Sequence, residues 1–416
     1  MKEVKTSLRL TEKKSLKRLM SFVLFACLLA FFACNNNNAY VNNDLDDPDD
    51  DDTPTSTEYG SGTENDPFIV ANKTDLKRVA SGETGPGGKW TEESHYRQVA
   101  DIDLSGEDWK PVWFVFEGSY DGGGYTISNL TTTGNCAFFS TVTGTMKNVR
   151  LSNLKFLHES SSGSLYWAGG MVALLAGGTL EHCYIDNVET TYNYTGSDFS
   201  SIGGLVGTNN YGTVSSCMVT NGTVSCNGKS FVGGIVGSNL GTIVNCYVTV
   251  NVSGIDSEYG FGGVAGRNRG TIENCYATGT VSSDGMSVIG GIVSVNSYII
   301  KNCVALNQTI STTHTGSSKI GRIVGEDIFI MSSMISNNYS RNDMTLIGTP
   351  EIPVSDATTT SIHGENVSDG DYNGANSDTW WINTVDFPED SWDFAPHRLP
   401  HLKGFNGLTQ NPTVNN

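Results

Sequence analysis

The chain has 416 residues, enough for two or three ordinary domains or for one long repeat array. Gly supplies 48 of them, above the usual level of about 7%, and only 17% are charged, a balance that suits many short strands joined by tight turns. The formal charge of −19 repels phosphate backbones and argues against nucleic acid as a partner, leaving cations, glycans and proteins.

The N-terminus reads as an export signal. Lys2, Lys5, Arg9, Lys13, Lys14, Lys17 and Arg18 form a basic region ahead of an apolar stretch from Met20 to Ala33, and Cys34 follows. Fourteen residues suit a signal-peptide core rather than a membrane span of about 20. A small residue directly before a cysteine resembles the lipobox of bacterial lipoproteins, which implies lipidation of Cys34 and a membrane anchor at an outer membrane or cell surface. Phe31 and Phe32 depart from the usual lipobox pattern, and Cys27 is a competing site. Residues 1–34 are thus expected as the signal, and residues 35–57 as a disordered acidic tether. That tether resembles the acidic export tags of Bacteroidetes surface lipoproteins. Its run at residues 44–52 lacks the Gly and distal Glu of an EF-hand loop, so no metal site is expected there.

From residue 168 one phrase returns. It reads Ile202-Gly-Gly-Leu-Val-Gly…Gly212-Thr-Val-Ser-Ser-Cys-Met218, then Val232-Gly-Gly-Ile-Val-Gly…Gly241-Thr-Ile-Val-Asn-Cys-Tyr247, then Phe261-Gly-Gly-Val-Ala-Gly…Gly270-Thr-Ile-Glu-Asn-Cys-Tyr276. Cys183, Cys217, Cys246, Cys275 and Cys303 mark a period near 29. Three short Val/Ile/Thr runs per copy predict one coil of a parallel β-helix, with successive coils about 4.8 Å apart. Within a coil Ile272 is expected to point inward, Glu273 outward and Asn274 to take the corner, its amide stacking on Asn245 and Asn302. Cys275 and Ala277 then face the core, and Tyr276 faces out.

The phrase is similar to the GLUG repeat of bacterial surface proteins, and residues 62–130 resemble the leader of such proteins. The resemblance implies an all-β, single-stranded parallel β-helix (a β-solenoid), right-handed, with an N-terminal cap and an aromatic C-terminal cap. It also implies an exported setting; relatives include adhesins and the non-catalytic region of some immunoglobulin-cleaving metallopeptidases. The expected organisation is a cap and opening coils at 58–150, repeat coils at 151–340, and an irregular loop with the C-terminal cap at 341–405. Residues 406–416 are expected as a disordered tail. Trp380, Trp381, Trp392 and Phe394 are expected to pack over the final coil, where Arg322 replaces a repeat Gly and Asn338 a repeat Cys.

Two side-chain files carry the candidate chemistry. The cysteines suit a narrow apolar core, although a bond such as Cys246–Cys275 falls within reach at rung spacing. Tyr184, Tyr247, Tyr276 and Tyr339 form an outward file that either packs against itself or offers a strip for sugar or protein. Catalytic patterns are weak: His158-Glu159 lacks the second His of a zinc-protease motif, and there is no CxxC pair, nucleophile elbow or Walker loop. No catalytic residue, metal or cofactor is expected, and the chain is read as non-enzymatic. Its expected partners are a membrane, through the lipid anchor, and a glycan or a host or cell-surface protein. The alternative is a β-helix polysaccharide lyase or hydrolase whose site is assembled from residues 107–117, 156–168 and 340–379, with carboxylates beside Arg267 or Arg269.

Overall fold

A computed structural model describes residues 59–133, 137–160, 166–194, 199–255, 259–285, 287–313, 317–328, 334–350 and 354–414. Cys27, Cys34 and the acidic run at 44–52 lie outside them. The architecture is a parallel β-helix. One coil is represented by Gly260–Gly262, Ala265–Asn268, Thr271–Glu273, Tyr276–Ala277 and Val281–Asp284. Each strand pairs in parallel with its equivalents in the coils before and after.

Four long sheets result. Sheet A has ten strands and holds Thr271–Glu273, sheet B has eight and holds Ala265–Asn268, sheet C has fifteen and holds both Tyr276–Ala277 and Val281–Asp284, and sheet D has six and holds Gly260–Gly262. The coil therefore has five strands rather than the three expected. Between Gly262 and Ala265 the chain bends sharply and passes from sheet D into sheet B, which adds a strand that the count of three short runs per copy does not include. The repeat glycines permit this. A Cβ on Gly263 would stand 2.1 Å from the carbonyl oxygen of Gly291 in the next coil, and one on Gly266 would stand 2.4 Å from the Val232 nitrogen, so sheet B lies directly on sheet D.

Alternation within the short strands decides what the interior contains. Ile243, Ile272 and Ile300 are in register and fully buried, as are Cys183, Cys217, Cys246, Cys275 and Cys303 one corner further on. Asn274 takes that corner with φ +54°, and its neighbours Asn245 and Asn302 have φ +53° and +54°. The side-chain amide of Asn274 donates to Asn245 at 3.1 Å, and that of Asn302 donates to Asn274 at 3.0 Å.

The two ends are closed differently. At the N-terminal end, Phe68, Trp90 and Tyr96 cover the first coil, with Phe68 stacked on Trp90 at 4.8 Å. Beside them the helix Lys73–Arg78 starts at Asn72, whose side chain accepts from the Asp75 N–H at 2.9 Å. At the other end Glu365–Val367 pairs with Tyr339–Arg341, and the Ile362 carbonyl accepts from Ile323 and Val324. Arg322, buried where each earlier coil has Gly, donates to the carbonyls of Arg341, His363 and Gly364 and to the Asn366 side chain. A side chain fits at this position because no further regular coil presses on it.

The aromatic C-terminal segment does not sit on this end. It turns back along the flank of the solenoid as two short helices, Asp369–Tyr372 and Ser377–Asn383, and a hairpin of Trp392–Asp393 with His401–Leu402. The expected disordered tail is likewise corrected. Gln410 exchanges two hydrogen bonds with the Leu402 backbone, at 2.9 and 2.6 Å, and Val414 packs against the same apolar cluster as the hairpin.

Candidate functional site

The outward tyrosine file exists in register. Tyr184 pairs with Met218, Met218 with Tyr247, Tyr247 with Tyr276, Tyr276 with Val304, and Val304 with Tyr339. It is not an open strip. Tyr247 and Tyr276 are buried and Tyr339 nearly so, while Tyr184 alone is half-buried. A column of rings outside the coil would expose a continuous apolar band, and the C-terminal strap covers it with Trp381, Phe387, Trp392 and Phe405. The strap is also hydrogen-bonded in place. Tyr276 donates to the Pro400 carbonyl at 2.8 Å, the Asn245 amide to Ser391 at 3.0 Å, and the Asn337 amide to Val385 at 3.0 Å. The rings therefore bind the chain's own C-terminus, and this second apolar cluster lies outside the solenoid interior.

A second asparagine ladder escaped the sequence reading. Asn209, Asn239, Asn268 and Asn296 are fully buried, each donating to the next side chain at 2.8 to 2.9 Å, with Asp327 accepting last at 3.1 Å. The signal was present: each of these asparagines recurs two residues after the Val-Gly, Ala-Gly or Val-Ser of its copy. Both ladders satisfy polar groups at tight corners and serve the architecture.

The cysteine file is free of disulfides, and Cys226 is a further buried thiol. In-register parallel rungs hold neighbouring Cβ vectors parallel and about 4.8 Å apart, wider than the roughly 3.8 Å a disulfide prefers. Burial pushes the Cys217 and Cys275 thiols up and that of Cys226 to about 12, so these groups stay protonated and inert.

Among the described residues the constellation required by the polysaccharide-active alternative is not assembled. The Arg267 guanidinium lies 5.2 Å from the Phe231 ring centroid, and no described carboxylate forms an ion pair with Arg267 or Arg269. Val112–Phe116 stands at one end of sheet B, and the strands Tyr339–Arg341 and Glu365–Val367 lie at the other end of the stack, roughly 34 Å away at about 4.8 Å per rung. Among the described residues no three His, Cys, Asp or Glu side chains converge as a metal site.

One aromatic pair does face solvent. The first strand of sheet B, Val112–Phe116, pairs with Phe139–Val142, but Phe139 is opposite Val112 and Thr141 opposite Val115. Two residues, Trp113 and Phe114, thus stand against the single Ser140. This bulge turns both rings outward, at 50% and 56% exposure.

Residues 257–282 match the GLUG motif family. The segment is the coil that carries Cys275 and Tyr276. The chain is also 30% identical over 169 residues to halomucin of Haloquadratum walsbyi, an alignment covering 36% of this chain and about 2% of halomucin's length. Among solved structures it is similar to a Bacteroides ovatus protein provisionally named an immunoglobulin A1 protease. That likeness has a TM-score of 0.51 and 21% identity, and covers 83% of this chain and 94% of the other. A protein named IgA1 protease is similar at a TM-score of 0.48 and 15% identity, over 66% of this chain and 21% of that one.

The Bacteroides ovatus likeness corrects the expectation of a non-enzymatic chain. The same fold occurs in a protein that carries a protease name, so the coil stack is no ground for excluding catalysis.

Proposed function

We propose that this chain is a surface-exposed lipoprotein whose β-solenoid makes contact with a glycan or with a protein of another cell or host. The GLUG match and the halomucin likeness support a cell-surface setting, and the sequence up to Cys34 supports a lipid anchor. The observation that carries the contact role is the Trp113–Phe114 pair. An edge strand that only needed protection from aggregation would gain more from charge than from two exposed rings. A bulge that interrupts the register of this edge strand and at the same time displays aromatic faces is suited to stacking on a sugar or burying into a partner.

The test is a glycan and surface-protein array probed with the full chain and with Trp113→Ala/Phe114→Ala. Loss of the captured ligands in the double variant supports the reading, and an unchanged binding profile overturns it. Cys34→Ser is expected to abolish membrane fractionation; a variant that still sediments with membranes overturns the lipid anchor.

A further inference from the structure

At the Tyr184 end of the aromatic file the strap stops short of closing on the solenoid. A cleft of about 260 Å³ remains there. Its floor is a column of corner residues from three successive coils, Asp121, Asn148, Arg150 and His182, and its wall is Phe405 and Asn406 of the strap. The strap comes this close because residue 404 is glycine: a Cβ there would stand 2.5 Å from the His182 ring.

Arg150 is the unusual member. Its guanidinium is half-buried and makes one hydrogen bond, from Nη2 to the Asn406 carbonyl at 2.8 Å. Among the described residues no carboxylate lies within ion-pair distance of it; burial draws its pKa down, and the more distant Asp101 carboxylate only partly opposes this. A partly desolvated guanidinium with donors to spare matches a carboxylate. Around it stand acceptors for hydroxyl groups. Asp121 already accepts at Oδ1 from the Gly123 N–H and the Asn148 amide, which orients it and leaves Oδ2 toward Lys147 at 3.6 Å. Phe405 adds an apolar wall, its ring edge-on to Tyr184 at 6.4 Å.

We infer that this cleft binds a carboxylate-bearing sugar ring, a hexuronate-type unit, with its carboxylate on Arg150, its hydroxyls on Asp121 and Asn148, and its carbon face against Phe405. The site is separate from the Trp113–Phe114 pair and does not depend on it. The negative charge of the chain does not forbid a single anionic sugar, because fields decay within about 8 Å at physiological salt.

The test is saturation-transfer NMR on the full chain with glucuronate, glucose and acetate as probes. Glucuronate is expected to bind, with glucose and acetate at least tenfold weaker. Arg150→Ala should lower glucuronate affinity at least tenfold. Trp113→Ala/Phe114→Ala should bind glucuronate as the parent chain does, which separates this site from the proposed contact surface. Absence of transfer to glucuronate, or undiminished affinity in Arg150→Ala with an unchanged melting temperature, overturns the site. Acetate binding as tightly as glucuronate overturns the sugar assignment.

Discussion

The rings of Tyr247 and Tyr276 lie parallel within 2°, their centroids 5.0 Å apart, and Trp392 leans on both at 6.4 and 5.7 Å. Two residues one repeat apart thus form a platform for a third that follows more than a hundred positions later. The platform holds the strap against the stack. Tyr276→Ala is expected to cost about 3–5 kcal/mol, the range for deleting a buried aromatic, and Tyr276→Phe about 1 kcal/mol for the lost bond to Pro400. Urea denaturation measures both. Limited proteolysis should cut Tyr276→Ala first within residues 369–400, and an intact strap in that variant contradicts the arrangement.

The repeat glycines make a sharper demand. Gly263→Ala places a methyl group 2.1 Å from the Gly291 carbonyl, where backbone rather than a movable side chain blocks it. Overpacking usually costs about 1–3 kcal/mol, and a stacked backbone cannot relax without shifting a whole rung, so about 3 kcal/mol or more is expected. The reverse change at the end of the array behaves differently. Arg322→Gly removes the group that satisfies three carbonyls, and is expected to loosen the last coil without disturbing the others. Hydrogen exchange should show new exposure confined to residues 320–324, 339–341 and 362–367. Protection lost throughout the stack would contradict this.

How far the sequence could be read depended on whether a position's environment lay within its own repeat. Ile272, Asn274 and Cys275 are surrounded by their own equivalents one coil away, so the repeated phrase carried their orientation. Tyr276 was assigned outward, which is its direction relative to the coil. Its cover comes from Trp381 and Trp392, and no local pattern links those positions to the repeat. The Gly-Gly bend was missed for another reason: Gly-Gly-Val-Ala-Gly has neither a period of two nor one of 3.6, so nothing marks where sheet D ends and sheet B begins. Arg150 and His182 lie on adjacent coils, but nothing in the repeat shows that they floor a cleft, because its wall, Phe405 and Asn406, comes from the returning strap.

The corner asparagines can be tested separately from the core. Asn274 holds φ +54° and makes one ladder bond in each direction. Asn274→Ala loses both bonds and strains an L-residue in the left-handed region, for a cost of about 2–3 kcal/mol. Asn274→Gly keeps the backbone conformation and should cost less. Equal denaturation midpoints for the two variants would show that the left-handed corner contributes little.

Acid should release the strap before it unfolds the solenoid. Burial in the strap hairpin, with Arg398 acting in the same direction and Asp393 opposing, lowers the His401 pKa from 6.5 to about 4. The folded state therefore keeps this imidazole neutral at pH values where the unfolded chain takes up a proton. Its contribution to stability is complete above about pH 6.5 and is lost as pH falls toward about 4, because the unfolded state binds more protons across that window. The melting temperature of the full chain should decline between pH 7 and pH 4.5, and His401→Gln should flatten part of that decline. The difference between the two profiles isolates the histidine from the carboxylates, which titrate in both. Parallel profiles would mean that His401 protonates freely in the folded chain and that the hairpin does not shield it.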